Sequence, residues 1–271
     1  MNYREEAYIS IPMIATRYDK GGGGIKRLLV GGREVLNETP KLHILPADAS
    51  LPEMPSRWTW KPGRPIEVTR DGSAVVVTAN GKYRDAEGKF VYRIAPAGEL
   101  DVTYDFTYLG PEVYAREVGF RFAVPPWMDT LTWKRRGEWT VYPPDHIGRN
   151  EGTAKAHSGL APAAPPGHSY AQDDAPMGTN DFRSTKRRVE HASITDADGY
   201  GLYIESNGEQ HLRAGVESDR IALFLNDWFG GTASRASEWH RNYGKGRLLK
   251  TGERLQGTMR LRVIPGEDEG H

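Results

Sequence analysis

The chain has 271 residues, 38% of them hydrophobic, and its 36 basic residues balance 36 acidic ones. The balanced charge gives no electrostatic reason to expect nucleic acid or an anionic membrane as partner, and no apolar run approaches the roughly 20 residues of a membrane helix. Because the chain has no cysteine, disulfides, thiolate metal sites and cysteine nucleophiles are excluded.

The composition also bears on turns and location. Thirty-one glycines and 18 prolines predict frequent turns. No charged-then-apolar leader follows Met1, so no signal peptide is expected. The absence of cysteine fits the cytoplasm, and it fits equally a periplasmic or secreted location as part of a longer chain.

Short alternating segments separated by turn residues predict β-strands through the first half of the chain. Residues 2–6 are polar and predict a connecting segment, and the glycines at 21–24 predict a flexible turn, since no Lys-Ser or Lys-Thr follows at phosphate-loop spacing. Two-residue hairpin turns are predicted at Gly31-Gly32 and Asp71-Gly72, and another turn at Asn80-Gly81. Strands are expected over 7–12, 13–18, 25–30, 33–36, 41–45, 66–70, 73–79, 90–95 and 100–108.

The aromatic residues of this half are interpreted from their spacing. One face of the segment 101–108 is apolar and carries Val102, Tyr104, Phe106 and Tyr108. The other face is polar, which is typical of a half-buried antiparallel sheet. Trp58 and Trp60 also share one face of an extended segment. Such a pair could stack on a sugar ring, but we favour packing in a core or an interface.

The second half begins with a strand whose apolar face carries Val118, Phe120, Phe122 and Val124. Pro125-Pro126 ends it, because neither proline can donate to a ladder. Residues 131–133 begin a second apolar run. A long inserted loop is predicted over 158–177, a short helix over 234–241 and a frayed acidic tail over 266–271. Further strands are expected over 189–195, 200–205, 212–216, 221–226, 247–249 and 255–263.

Three motifs carry a resemblance to a known family. The first matches R-x-G-x-R-F-x-L-P with one extra residue after the first arginine, at Arg116, Gly119, Arg121, Phe122 and Pro125. The second, in which Gly137-Glu138 replaces a Gly-Pro pair, lies at Trp133, Gly137, Tyr142 and Asp145. The third fits Asn-Asp-x-Arg, at Asn180, Asp181 and Arg183. Together they resemble the C-terminal, small-chain β-sandwich domain of the β-galactosidases of glycoside hydrolase family 2.

The resemblance implies an all-β fold, a galactose mutarotase-like antiparallel supersandwich of about 15 to 18 strands in two large sheets. We expect one domain over 1–271. In the family the acid and the nucleophile lie on a (β/α)₈ barrel, and this chain shows no strand–helix alternation, so no residue here inherits a catalytic role. The implied function is to support that missing barrel, the expected partner, and to shape its carbohydrate pocket, without a cofactor.

Residues that would touch a galactoside-like sugar follow from the same resemblance. An aromatic face stacks on the C–H-rich face of a sugar ring, and polar loop residues fix its orientation. The candidates are Trp228, Trp239, Tyr142, Asn180, Asp181 and Arg183. For Trp228 and Trp239 the alternative is packing in the core or against the absent barrel.

Two further functions stay open. A free-standing aldose mutarotase would use a Glu base and a His acid, and Glu217 and His191 lie on or near predicted strands. A lone strand histidine is more often a structural hydrogen-bonding residue, which is the alternative for His191. A carbohydrate-binding module without chemistry is the third possibility.

The remaining ionisable residues give no strong signal. His146, beside Asp145, and His240 have no partner at a metal-ligand spacing, so no metal site is expected. The basic runs 135–136 and 186–188 are interpreted as solvated, or as salt-bridged to a neighbouring domain.

Overall fold

A computed structural model of the protein describes residues 6–11, 14–19, 24–30, 32–46, 59–63, 66–136, 150–156, 182, 185–229 and 247–266. Within these ranges the secondary structure consists of 19 β-strands and no helix. No helix long and apolar enough to cross a membrane occurs among the described residues. The loop predicted at 158–177, the helix predicted at 234–241 and the tail after residue 266 lie outside them.

The strands follow one another with short connections wherever consecutive residues are described. In chain order they are β1 (Glu6–Ile11), β2 (Ile14–Asp19), β3 (Gly24–Val30), β4 (Arg33–Leu36), β5 (Glu38–Pro46), β6 (Lys61–Pro62), β7 (Glu67–Asp71), β8 (Ala74–Lys82), β9 (Ala86–Ile94), β10 (Glu99–Tyr108), β11 (Val113–Val124), β12 (Thr130–Arg135), β13 (Glu151–Lys155), β14 (Val189–Thr195), β15 (Gly201–Glu205), β16 (His211–Val216), β17 (Ile221–Phe229), β18 (Arg247–Leu249) and β19 (Arg254–Ile264).

The chain divides into two compact units, Met1–Arg121 with Asn226–Arg260 and Phe122–Leu225 with Leu261–His271. The boundaries between the units fall inside β11, β17 and β19. The expectation of one domain over 1–271 therefore stays a prediction.

The first unit contains a four-stranded sheet in the order β1-β2-β3-β4 and the strand orders β19-β10-β9-β8-β6 and β17-β11-β18, with β7 also on β8 and β5 also on β11. The predicted apolar face of β10 is confirmed, because Tyr104 and Phe106 are each 1% exposed. Trp60 packs on this core with ring centroids 5.4 Å from Phe90 and 5.8 Å from Phe106, as the core interpretation expected.

The hairpins predicted at Gly32 and Gly72 are confirmed, and both glycines have a positive φ, +82° and +61°. The turn predicted at Asn80-Gly81 is wrong. Strand β8 continues to Lys82, with Gly81 paired opposite Gly88 on β9. A Cβ at Gly81 would lie 2.6 Å from the Trp60 ring and 2.5 Å from the Lys61 carbonyl, so this glycine admits a close neighbour instead of turning the chain.

The second unit has the strand order β13-β12-β14-β15, and its neighbouring strands are antiparallel. Leu131 and Trp133 of β12 and Ala192 and Ile194 of β14 are fully or almost fully buried. The intervening residues, among them His191, lie on the opposite, half-exposed face. Period-two alternation therefore positions the side chains in this unit as the sequence predicts.

Candidate functional site

Strand β11 is buried on both of its faces although it carries three charged residues. Phe120 packs against Tyr104 with ring centroids 4.8 Å apart, so Phe120 points into the aromatic core of the first unit. Because side chains alternate along a strand, Glu117 and Arg121 point to the other face. Glu117 is 0% exposed and Arg121 6%.

Strand β5, which pairs with β11, supplies partners for both residues. His43 Nε2 lies 2.7 Å from Glu117 Oε2, and both side chains are 1% exposed. Arg121 Nη1 donates to Glu38 Oε2, and Lys41 Nζ donates to Glu38 Oε1 at 2.7 Å. Two acid–base pairs are thus held between these neighbouring strands, one at each of two positions four residues apart on β11.

Neighbouring cations keep the Glu38 carboxyl group ionised. Burial acts to raise the pKa of Glu38, but the Lys41 ammonium and the Arg121 guanidinium outweigh it and hold the pKa below its ordinary value of 4.5. Glu38 is therefore ionised at neutral pH and balances Arg121. A buried ion is tolerated only when it is paired and hydrogen-bonded, which explains why each charged group on this face has a partner of opposite character.

Strand β17, which also neighbours β11, extends the same face. Asp227 Oδ2 accepts a hydrogen bond from Tyr104 Oη at 2.6 Å, so Asp227 points into the core. Alternation then places Asn226 and Trp228 on the face that carries Glu117. Asn226 is 0% exposed, and within the described ranges its Oδ1 and Nδ2 have no hydrogen-bond partner, whereas Trp228 is 37% exposed.

We call this surface the polar face and define it by His43, Glu38, Glu117, Arg121, Asn226 and Trp228. It combines a histidine–carboxylate pair that can exchange a proton, a buried amide that can donate and accept, and an exposed aromatic ring. Small-molecule sites commonly combine a few polar groups with an aromatic surface. No group of three or more His, Asp or Glu residues that could hold a metal occurs in the part of the chain that the structure describes.

Of the six residues predicted to touch a sugar, the structure describes only Trp228, and it places this residue on the polar face. The other five lie outside the described residues: Tyr142, Asn180, Asp181, Arg183 and Trp239. Their roles stay predictions.

The two residues predicted for a mutarotase lie in the second unit. His191 on β14 stacks on Tyr203 of β15, with ring centroids 5.4 Å apart and an interplanar angle of 21°. Glu217 follows β16, where its backbone N–H donates to the Arg220 carbonyl at 2.9 Å and its carboxylate lies 4.0 Å from the Arg220 guanidinium. Their predicted acid and base roles stay predictions.

Sequence reasoning missed His43, Glu38, Glu117 and Asn226. A signal was present, since Arg116-Glu117 and Arg121 interrupt an otherwise apolar strand, and His43 stands alone within the apolar segment 42–45. Ionisable residues inside a strand buried on both faces require partners. The sequence does not show which partners these are, because 74 residues separate His43 from Glu117.

Comparison with known proteins gives likeness in structure only. No protein-family model and no curated protein matches the sequence. A galactose mutarotase-like protein from Lactobacillus casei ATCC 334 matches with a TM-score of 0.51 and 11% identity over 96% of this chain and 100% of its own. Galactose 1-epimerase from Lactobacillus acidophilus NCFM matches with a TM-score of 0.52 and 9% identity over 97% of this chain and 95% of its own. A protein assigned as an aldose 1-epimerase from Escherichia coli K12 matches with a TM-score of 0.50 and 12% identity over 96% of this chain and 99% of its own.

At these identities the likeness shows the fold alone. The predicted all-β, antiparallel, galactose mutarotase-like fold is confirmed. The identification as the C-terminal domain of a family 2 β-galactosidase is wrong, because these three structures are free-standing proteins covered over 95–100% of their length. The barrel expected as partner loses its support with it. Phe122 and Trp133, two residues that carry the resemblance, are buried core positions, so their motifs reflect the packing of the sandwich.

Proposed function

We propose that the protein binds a hexose on the polar face and interconverts its anomers, as an aldose 1-epimerase. The observation that carries the proposal is the buried His43–Glu117 pair at 2.7 Å, a base and an acid within one hydrogen bond of each other. Enzymes commonly use titratable groups in a water-excluded site to transfer protons. The fold supports the same class, since similar structures include a galactose 1-epimerase.

The reaction needs one proton removed and one proton supplied. One partner of the pair accepts the proton of the anomeric hydroxyl while the bond between C1 and the ring oxygen breaks. The other partner gives a proton to the ring oxygen, and the open-chain aldehyde rotates and closes by the reverse steps. Asn226 would hold sugar hydroxyls, since an amide both donates and accepts. Because both side chains of the pair are 1% exposed, the polar face must open to admit a sugar.

The test follows anomer interconversion by proton NMR after dissolving α-galactose or α-glucose with the pure protein. We expect interconversion faster than in buffer, and we expect Glu117→Gln and His43→Gln each to lower the enzymatic rate by about 10²-fold or more, the usual contribution of a general acid or base. Glu67→Gln is the matched control, because Glu67 is exposed on β7 of the same unit.

Three measurements make this test decisive. Melting temperatures of the variants show whether lost activity reflects lost folding. The His43 imidazole signals should shift when sugar is added, which checks that the polar face opens. Equal rates for the wild-type protein, Glu117→Gln and His43→Gln, or no acceleration at all, would refute the epimerase.

The second candidate is a carbohydrate-binding protein without chemistry, favoured by the exposed Trp228 beside the buried Asn226. It predicts broadened sugar signals without faster interconversion. Trp228→Ala should then weaken sugar binding with little change in melting temperature. Trp127→Ala, which removes a ring that is 53% exposed in the other unit, should leave sugar binding intact.

A further inference from the structure

The fold joins the two basic runs of the sequence in the second unit. Arg136 follows the end of β12, and its backbone N–H donates to the Arg188 carbonyl, just before β14, at 2.9 Å. Both guanidinium groups turn toward the same carboxylate. Arg136 Nη1 lies 2.7 Å from Glu209 Oε1, and Arg188 Nε lies 3.8 Å from Glu209 Oε2.

The backbone at Arg188 is held in an unfavourable conformation. Its φ of +53° is the only positive value at a residue other than glycine within the described ranges. Side chains disfavour this region, so the surrounding structure must impose it. Two hydrogen bonds do so, because the Arg188 N–H donates to His211 Nδ1 at 3.2 Å and the Arg188 carbonyl accepts from Arg136.

His211 contributes an acceptor to this arrangement and no charge. Burial lowers the pKa of His211 to about 4, and the positive charges of Arg187 and Arg188 act in the same direction. At neutral pH the ring is uncharged, so Nδ1 can accept the Arg188 N–H. The strained backbone is therefore stabilised without adding a further cation next to the arginines.

The loop that carries Glu209 is also fixed. Asn207 Oδ1 accepts hydrogen bonds from the backbone N–H groups of Glu209 at 2.9 Å and Gln210 at 3.2 Å. Gly208 has a φ of +81°, and a Cβ there would lie 3.1 Å from the Arg136 guanidinium. The absence of a side chain at Gly208 lets Arg136 lie directly against the loop.

We call this group the arginine cluster and define it by Arg136, Arg188 and Glu209. Two guanidinium groups face one carboxylate, and the side chains of Arg136, Arg188 and Glu209 are 54%, 45% and 62% exposed. An exposed pair of this kind contributes little to stability, so an external anion can replace the carboxylate at small cost. Glu209 marks the position in which an oxyanion fits between planar, forked donors.

We propose that the arginine cluster binds a phosphate or sulfate group, and that the Glu209 carboxylate occupies the same position and competes with it. The group could belong to a free inorganic ion or to a phosphorylated or sulfated sugar. The proposal depends only on residues of the second unit and is independent of the epimerase activity, which rests on the first.

The test is a titration by isothermal calorimetry or NMR at neutral pH and constant ionic strength, with inorganic phosphate, inorganic sulfate, galactose 6-phosphate and galactose as probes. We expect saturable binding of at least one of the anions and weaker binding by about tenfold in Arg136→Gln and in Arg188→Gly. Glu209→Gln should tighten binding by about threefold, because it removes the competing charge. Arg188→Gly also relieves the left-handed backbone strain, so this variant should stay folded.

The matched control is the pair of Arg262 and Glu205, 2.7 Å apart, with side chains 46% and 40% exposed in the same unit. Arg262→Gln and Glu205→Gln should leave anion affinity unchanged. An equal loss of affinity in Arg262→Gln and Arg136→Gln, no saturable binding, or no effect of Glu209→Gln would each overturn the proposal. Galactose 6-phosphate binding more tightly than inorganic phosphate identifies an anionic sugar as the ligand, and equal affinity identifies the free ion.

Discussion

His211 should make the stability of the protein depend on pH between about 4 and 6.5. In the folded protein its pKa is lowered from 6.5 to about 4, chiefly by burial and further by Arg187 and Arg188. Between these two pH values the unfolded chain binds more protons than the folded protein does. Stability therefore falls as the pH falls from about 6.5 to about 4, and it is fully present above that window.

The size of the effect follows from the two pKa values. Each pH unit between 6.5 and about 4 corresponds to roughly 1.4 kcal/mol, so His211 accounts for a loss of about 3 kcal/mol across the window. In more acidic solution the protonation of carboxylates lowers the stability further. The pKa values of Glu38 and Asp129 lie under their ordinary values of 4.5 and 3.8, so their stabilising effect is lost only in more acidic solution.

The assay is urea unfolding of the wild-type protein and of His211→Asn at neutral pH and near the lower end of the window. Asparagine keeps an acceptor close to the position of Nδ1 for the Arg188 N–H and cannot take up a proton. We expect the wild-type protein to lose about 3 kcal/mol more than the variant on acidification. Parallel pH profiles for the two proteins would refute the reasoning, whatever their difference at neutral pH.

Three further predictions concern the packing of the first unit and are measured by urea unfolding. Gly257→Ala should cost about 1–3 kcal/mol, because the new Cβ would lie 2.2 Å from Asp227 Oδ2; Gly215→Ala, with nothing within 4 Å, is the control and should cost nothing. Phe120→Ala should cost about 3–5 kcal/mol through the cavity beside Tyr104, and a value below that of Gly257→Ala would contradict the aromatic core. Tyr104→Phe should cost about 1–3 kcal/mol by removing the 2.6 Å hydrogen bond to Asp227, and unchanged stability would show that this bond has no net value.

Local patterns in the sequence predicted most of the strands. Three features depend on neighbouring residues alone and could therefore be predicted without knowing the fold. They are the alternation in β10, the hairpin glycines Gly32 and Gly72, and the end of β11 before Pro125. Gly81 shows the limit of such reasoning. The same residue type marks a turn or a close approach, and only the position of the Trp60 ring distinguishes them.

The family resemblance failed for a related reason. Its residues were treated as marks of a place in a larger enzyme, but buried positions such as Phe122 and Trp133 report how a sandwich packs. Unrelated functions share such packing, and a function must be argued from a site. The His43–Glu117 pair is the candidate for such a site in this protein.

Local sequence patterns are enough to predict the class of secondary structure and its turns, because a period of two and the turn chemistry of glycine and proline act over a few residues. Which charged residues meet depends on the tertiary structure. The pairing of β5 with β11 brings His43 to Glu117, and the approach of β12 to β14 brings Arg136 to Arg188 and both to Glu209. Such contacts depend on strand register across long stretches of chain, which no local pattern encodes.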